Sequence, residues 1–140
     1  MSKDTAKMVE ELTLCDDFKT FYDENRDYMV TDTLVEMLRD LQKEKGLRKS
    51  DIIRRAEISE VYAYQIFAGT RHPERKKLLC LAIGLTLNLE ETQTLLKCAG
   101  YAPLYVKQPF DSVVMYGICK QMSIIEINEL LFKNDLETLG

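Results

Sequence analysis

The sequence predicts an all-α protein, and three observations lead to that fold class. Apolar residues recur at intervals of three and four along almost the whole chain, as Leu34, Leu38 and Leu41 illustrate. Proline occurs only at positions 73, 103 and 109, and no alternating run of β-branched residues indicates a strand. A chain of 140 residues, 46% of them hydrophobic, is long enough to bury a core without disulfides or metal.

Five helices with short connections are predicted between residues 32 and 100. The first follows a cap at Thr31 or Asp32 and ends before Gly46, which can adopt the left-handed backbone conformation that terminates helices. A short second helix is expected over residues 49–55. Ser59 caps the third helix, which runs through Phe67 and stops at Gly69.

The fourth and fifth helices are predicted from proline and capping signals. Pro73 is expected in the first turn of a helix over residues 74–85. Asn88 and Glu91 have the spacing of a capping box, which predicts a helix over residues 89–99 that ends at Gly100.

Two helical segments flank this central region. Residues 1–31 are predicted to form an N-terminal helical arm, and residues 101–140 a C-terminal helical extension. In the extension, Asp111 is expected to cap one helix, while Ser123 and Glu126 form a capping box for the last one. The apolar stripe of the extension either folds back onto the fifth helix or pairs with a second subunit. No tandem repeat is evident.

Charge is distributed unevenly along the chain. The net charge is −4, and it divides into −5 for residues 1–45, +4 for residues 46–80 and −3 for residues 81–140. A nucleic-acid backbone responds to the local field more than to the total charge, so a basic segment between two acidic ones is compatible with such a partner. A charged surface whose sign simply fluctuates is the alternative.

The cysteines and the histidine do not predict a metal site. Cys15, Cys80, Cys98 and Cys119 contain no CxxC pair, and His72 is the only histidine. Because zinc ligands usually come in closely spaced pairs, we expect no metal and interpret the cysteines as small apolar residues in a reduced core.

Membrane, secreted and catalytic functions are also not predicted. No apolar run approaches the roughly 20 residues that span a bilayer, and the N-terminus is acidic where an export signal would be apolar. We therefore expect a cytoplasmic protein. A lone histidine and the lack of a glycine-rich phosphate loop leave no catalytic set and no cofactor to assign, so an enzyme is not expected.

One pattern of residues between positions 32 and 96 resembles a known family. The pattern consists of Leu34-Val35-x-x-Leu38-Arg39, Gly46-Leu47, Ile52, Ala56, Ile58-Ser59, Ile66, Gly69-Thr70-Arg71-His72-Pro73 and Leu78-Leu79-x-Leu81-Ala82-x-x-Leu85. In these residues the chain resembles the Cro/C1-type (XRE-family) helix-turn-helix domain. The resemblance implies a five-helix lambda-repressor-like fold. The chain departs from the family at Ile53, where alanine is usual, and at Glu57, where glycine is frequent.

The resemblance also implies a function. It suggests a bacterial, sequence-specific transcriptional regulator, repressor-like and dimeric, that places the helix Ser59–Phe67 in the major groove of double-stranded DNA. By position, the base-reading residues are Glu60, Val61, Tyr64 and Gln65, and their chemistry suits cytosine N4 for glutamate, a thymine methyl for valine and adenine for glutamine. Phosphate contacts are expected from Lys49, Ser59, Arg71, His72, Arg75 and Lys76, with Lys77 beside them.

These assignments have alternatives in the residues themselves. Glu60 in a first helical turn is favourable against the helix dipole without any DNA, and it repels phosphate. The basic triplet at residues 75–77 is also typical of a solvated helix face, and His72 of an ordinary loop residue. Tyr62 and Tyr64 can pack on neighbouring helices, since tyrosine buries a large ring at little entropic cost.

A protein-interaction module is therefore the alternative function. An aromatic pair on the third helix suits an antitoxin-like or adaptor role without DNA binding. The two functions predict different surfaces. DNA binding requires positive charge that joins Lys49, Arg71 and Arg75 to the third helix, whereas the interaction module predicts that the acidic N-terminal arm covers that helix.

Overall fold

The computed structural model describes residues 3–28 and 33–140, and every regular element within these ranges is helical. The predicted all-α class is confirmed. The elements are α1 (Thr5–Leu14), α2 (Phe18–Asn25), a 3-10 turn (Arg26–Tyr28), α3 (Thr33–Lys45), α4 (Lys49–Ala56), α5 (Glu60–Ala68), α6 (Arg75–Gly84), α7 (Leu89–Cys98), α8 (Pro109–Cys119) and α9 (Ile124–Lys133). The chain divides into two compact units, Met1–Thr31 and Asp32–Gly140.

The first unit, for which the sequence predicts a helical arm, contains two short helices, α1 and α2. Asp4 and Asp17 cap them, because each carboxylate accepts a hydrogen bond from a backbone N–H of the first turn. Lys3 connects the two helices through hydrogen bonds. It donates to the Glu11 carboxylate of α1 at 2.7 Å and to the buried Asn25 side-chain oxygen of α2 at 2.6 Å. The Lys3 contact also holds the pKa of Glu11 below its ordinary value.

The predicted starts and ends of the central helices are largely confirmed. The Ser59 hydroxyl accepts a hydrogen bond from the Tyr62 N–H at 3.1 Å and so caps α5, and Gly69 ends α5 with φ +80°. Asn88 and Glu91 form the predicted capping box of α7. The predicted cap of α3 lies outside the described residues.

Two predicted positions are wrong, and a proline is involved in each. Pro73 precedes the N-cap Glu74 and does not lie in the first turn of α6. Asp111 is not the cap of α8, because the helix already begins at Pro109, whose missing N–H costs nothing in a first turn. The Asp111 carboxylate is engaged elsewhere, by Arg75.

The C-terminal extension folds back onto the rest of the chain and buries much of its apolar stripe. Val114, Ile127 and Leu131 are buried in the same core as Leu38 of α3. Helix α8 contacts both α7 and α9. Residues 101–140 are thus part of one compact unit with residues 33–100.

Helices α4 and α6 approach each other closely enough for their backbones to touch. A Cβ atom at Gly84 would lie 2.6 Å from the Ile52 carbonyl oxygen and 3.0 Å from the Ala56 Cβ. Ile52 and Ala56 are fully buried at this crossing. Only glycine at position 84 allows this approach, which fixes where α4 lies and where the turn to α5 begins.

The same three-residue turn joins three successive helix pairs. Its first residue is left-handed although it is not glycine, its second is apolar and at least half-buried, and its third caps the next helix. The three turns are Glu57-Ile58-Ser59, Thr86-Leu87-Asn88 and Gln121-Met122-Ser123, with φ values of 56°, 57° and 57° at their first residues.

Two of these helix pairs form a structural repeat, which we call the first hairpin (α6–α7) and the second hairpin (α8–α9). Matched residues are 35 positions apart, as the residue numbers show. The Gln93 side-chain oxygen accepts from the Leu104 N–H at 2.7 Å, and the matched Asn128 oxygen accepts from the Leu139 N–H at 2.7 Å. The sequence prediction of no tandem repeat is therefore wrong.

The two hairpins pack against each other, and matched residues line the same cavity at two places between them. One cavity between them is lined by four matched pairs. These are Ile83 and Ile118, Thr86 and Gln121, Leu87 and Met122, and Asn88 and Ser123. A second cavity is lined by three further matched pairs, which are Arg75 and Phe110, Lys76 and Asp111, and Ala102 and Glu137. Such pairing is what an approximate two-fold relation between the hairpins produces.

The cysteines confirm the core interpretation only in part. Cys80 is buried, and desolvation raises its pKa to about 11, which makes it a poor nucleophile. Cys119 is exposed, contrary to the interpretation as a core residue, while Cys15 and Cys98 are partly exposed. All four are free thiols.

The turn between α4 and α5 yields a stability prediction. Glu57→Gly should stabilise the protein by roughly 0.5–1 kcal/mol, because relief of left-handed strain exceeds the added entropy of the unfolded chain. Glu60→Gly, three residues away in the first turn of α5, should instead destabilise by a similar amount. Urea unfolding of both variants measures these differences, and equal signs would contradict the strain assignment.

Candidate nucleic-acid interface

Helix α5 has one buried and one outward face. Ala63, Ile66 and Phe67 pack into the core. Val61 is 68% exposed and Tyr64 is 47% exposed, and Glu60 is exposed beside them. The sequence therefore predicted correctly that these three residues point outward.

Gln65, the fourth predicted base-reading residue, is only half-buried and already has a partner. Its side-chain oxygen accepts a hydrogen bond from the Arg71 guanidinium at 3.4 Å. The same guanidinium lies 4.5 Å from the centre of the Tyr62 ring. Arg71 is exposed, so it stands at the edge of the outward face of α5 with its positive charge retained.

Lys49 lies at the other side of this face. Its ammonium group is 5.9 Å from the centre of the Tyr64 ring and 5.4 Å from that of Phe67. A cation over an aromatic ring keeps its charge and can still approach an anion from its open side. Lys49 and Arg71 thus place one positive charge on either side of α5.

Ser59 and His72 have structural partners that bear on their predicted phosphate contacts. The Ser59 hydroxyl accepts the capping hydrogen bond, which leaves its own O–H free to donate. The His72 ring Nε2 lies 3.0 Å from the Ala99 carbonyl oxygen, so it carries the proton and donates to that oxygen. The ring also packs at 5.7 Å from Tyr101, which anchors the loop to the end of α7.

Arg75 is half-buried, and its guanidinium is bound to groups of the same chain. Its two terminal nitrogens each lie 3.0 Å from an oxygen of Asp111, which is 6% exposed. The guanidinium also donates to the carbonyl oxygens of Ala102 and Pro103. Asp111 in turn accepts from the Tyr105 N–H at 2.9 Å. We therefore correct the predicted phosphate role of Arg75 to a structural one.

Lys76 is also engaged with the second hairpin. Its ammonium group donates to Glu137 at 2.9 Å and lies 5.5 Å from the Phe110 ring centre. The ion pair holds the pKa of Glu137 below its ordinary value. Of the cations that DNA binding requires to join the third helix, Lys49 and Arg71 flank α5, whereas Arg75 and Lys76 connect the two hairpins.

Sequence analysis missed the exposed arginines of the α4 region. Arg48 and Arg54 both donate to the Asp51 carboxylate, at 3.1 and 3.2 Å. The Arg48 hydrogen bond is the main reason that the pKa of Asp51 lies below its ordinary value. Arg48 precedes Lys49 directly, so its charge adds to the positive side of α5. The signal in the sequence was its position before a helix start.

Other kinds of site find no support in the described parts of the chain. There, no cluster of three or more His, Cys, Asp or Glu side chains is arranged to hold a metal ion. No helix in the same ranges has the length and apolar character needed to cross a membrane. Neither a protein-family model, nor a curated protein, nor a solved structure matches the chain.

The Arg75–Asp111 pair should contribute strongly to stability. Asp111→Ala removes the buried carboxylate and leaves the Arg75 guanidinium, 27% exposed and still bound to two carbonyl oxygens, without its ion-pair partner, which should cost roughly 1–3 kcal/mol. Lys76→Ala, on the same helix but paired with an exposed glutamate, should have little effect. Chemical unfolding monitored by circular dichroism compares the two. Equal small effects would show that Arg75 is free for another role.

Proposed function

We propose that α4 and α5 form the helix-turn-helix of a lambda-repressor-like domain and that the chain is a sequence-specific, cytoplasmic DNA-binding regulator. The observation that carries this proposal is the outward face of α5, with Val61 and Tyr64 exposed between Lys49 and Arg71. This arrangement combines side chains that can contact base edges with flanking charges that can contact phosphates.

The roles divide between the two helices. Helix α4 lies along the DNA backbone through Lys49, with Arg48 beside it, while the start of α5 enters the major groove. Val61 contacts a thymine methyl, and Glu60 accepts from a cytosine amino group. Gln65 contacts adenine after exchanging its hydrogen bond with Arg71, which then turns to a phosphate.

A selection from a random pool of duplexes tests this function. We expect an enriched sequence motif for the wild-type protein. Gln65→Ala should weaken the preference at one or two positions of the motif, since one base contact is lost. Lys49→Gln should weaken binding to all sequences alike and lower the salt dependence by about one charge.

Ile125→Ala serves as the control for this selection. Ile125 is an exposed apolar residue on α9, so its loss should leave the motif and the affinity unchanged. The absence of any enriched motif at low salt would contradict DNA reading. It would favour the interaction-module function.

One observation favours a protein-interaction module as the second candidate. Lys49 and Arg71 both lie over aromatic rings, and the exposed part of α5 is mainly apolar and aromatic, as at many protein interfaces. The turn that precedes α5 also recurs twice elsewhere in the fold, so the turn alone does not indicate DNA binding.

We also propose that the chain forms a homodimer through the outer face of the second hairpin. On the first hairpin, α3 packs against α7 and α4 packs against α6. Leu78, Leu81 and Leu95 of this hairpin are fully buried. The matched residues of the second hairpin are Val113, Tyr116 and Leu130, and they line an open apolar cleft of about 660 Å³. A dimer that covers this face suits a regulator of two-fold DNA sites.

Tyr116→Glu should convert this dimer to a monomer, because it places a charge in the apolar cleft. Tyr105→Glu is the matched control, since Tyr105 is 54% exposed against 53% for Tyr116 but lies outside the cleft. Sedimentation velocity at several protein concentrations gives the oligomeric state. A wild-type protein that stays monomeric at all of them would refute the dimer.

A further inference from the structure

A cavity of about 770 Å³ lies where the turns of the two hairpins meet, and neither DNA contact nor dimer formation uses it. Such a volume is typical of small-molecule sites, which are frequent between packed helices. Its floor is apolar and is formed by Ile83, Leu87, Leu89, Ile118 and Met122.

The polar rim of the cavity contains a single cation. Arg55, at the end of α4, makes no hydrogen bond or ion pair with the described residues. Its charge acts on Asp51, but that carboxylate is already bound by Arg48 and Arg54. The neighbouring Arg54 is bound to Asp51 and does not line the cavity. An unpaired guanidinium beside an apolar floor favours a ligand with an anionic end and an apolar body.

Most of the other polar groups of the rim are already used by the fold, whereas the Gln121 side chain makes no hydrogen bond with the described residues. The Asn88 and Ser123 side chains cap α7 and α9, and Glu126 completes the second capping box. The first-turn N–H groups that these side chains cap are therefore taken. The rim therefore carries two opposite charges: the Glu126 carboxylate, which accepts a hydrogen bond from the Ser123 N–H, and the Arg55 guanidinium, which is left to pair with an anion.

We propose that this cavity binds a small carboxylic acid with an apolar chain, whose carboxylate pairs with Arg55 and whose chain lies on the apolar floor. The cavity lies next to the contact of Gly84 with α4, and Arg55 belongs to α4 itself. A bound acid therefore touches the helix that leads into the turn before α5. Ligand binding is independent of whether α5 reads DNA.

Isothermal titration of the full chain with octanoate tests the proposal. We expect saturable binding of one molecule per chain, with a Kd of about 1 mM or tighter, as is usual for a ligand of this size. Octan-1-ol, which has the same chain length but no charge, should bind at least about tenfold more weakly.

Three variants locate the site. Arg55→Gln should weaken octanoate binding by about tenfold or more, whereas Arg54→Gln, the adjacent matched control, should leave it unchanged. Cys119 lines the cavity and is exposed, so Cys119→Phe should place a bulky ring in the cavity without disturbing the core. We expect this variant to lose octanoate binding and to keep the melting temperature of the wild type.

The proposal is overturned by any of three results. These are no saturable octanoate binding, equal binding by Arg55→Gln and the wild type, or equal affinity for octanoate and octan-1-ol. Circular dichroism of each variant verifies that the fold is retained, so a loss of binding reports on the cavity.

Discussion

The backbone contact between α4 and α6 is the constraint on which the rest of the structure depends. Gly84 and Ala56 let the helices approach until a Cβ at position 84 would meet a carbonyl oxygen of α4. Packing this tight leaves α4 little freedom to slide or rotate. The orientation of α4 sets the turn at Glu57, and the turn directs α5 outward. The exposed face of α5 is therefore a consequence of two small residues in the core.

The second half of the chain supports this arrangement from the other side. The first hairpin is held between α3–α5 and the second hairpin, with Arg75 and Asp111 as the buried polar connection. An ion pair with this many satisfied hydrogen bonds specifies one way of packing the hairpins, whatever its net contribution to stability. The approximate two-fold relation also explains the distribution of apolar surface. The face of the first hairpin that α3–α5 cover has an open counterpart on the second, at Tyr116.

Local signals in the sequence predicted most of the helices, because caps and apolar periodicity act within a few residues. Ser59, Gly69 and the two capping boxes lie where they were expected. Contacts between residues far apart in the chain could not be predicted in this way. Nothing in the sequence near Arg75 reveals that it is paired, because its partner Asp111 lies 36 residues later. The repeat was missed because the two hairpins share turn geometry and buried positions more than residue identities. Thr86 and Gln121 adopt the same left-handed conformation with unrelated side chains.

We propose that α5 presents its outward face to DNA while Lys49 and Arg71 contact the DNA backbone. Titration of the isotopically labelled protein with a short duplex, followed by two-dimensional NMR, tests it residue by residue. We expect the largest amide shifts in residues 48–50 and 59–65 and around Arg71, and little change in α8 and α9. Shifts concentrated in the second hairpin, or none at low salt, would contradict it.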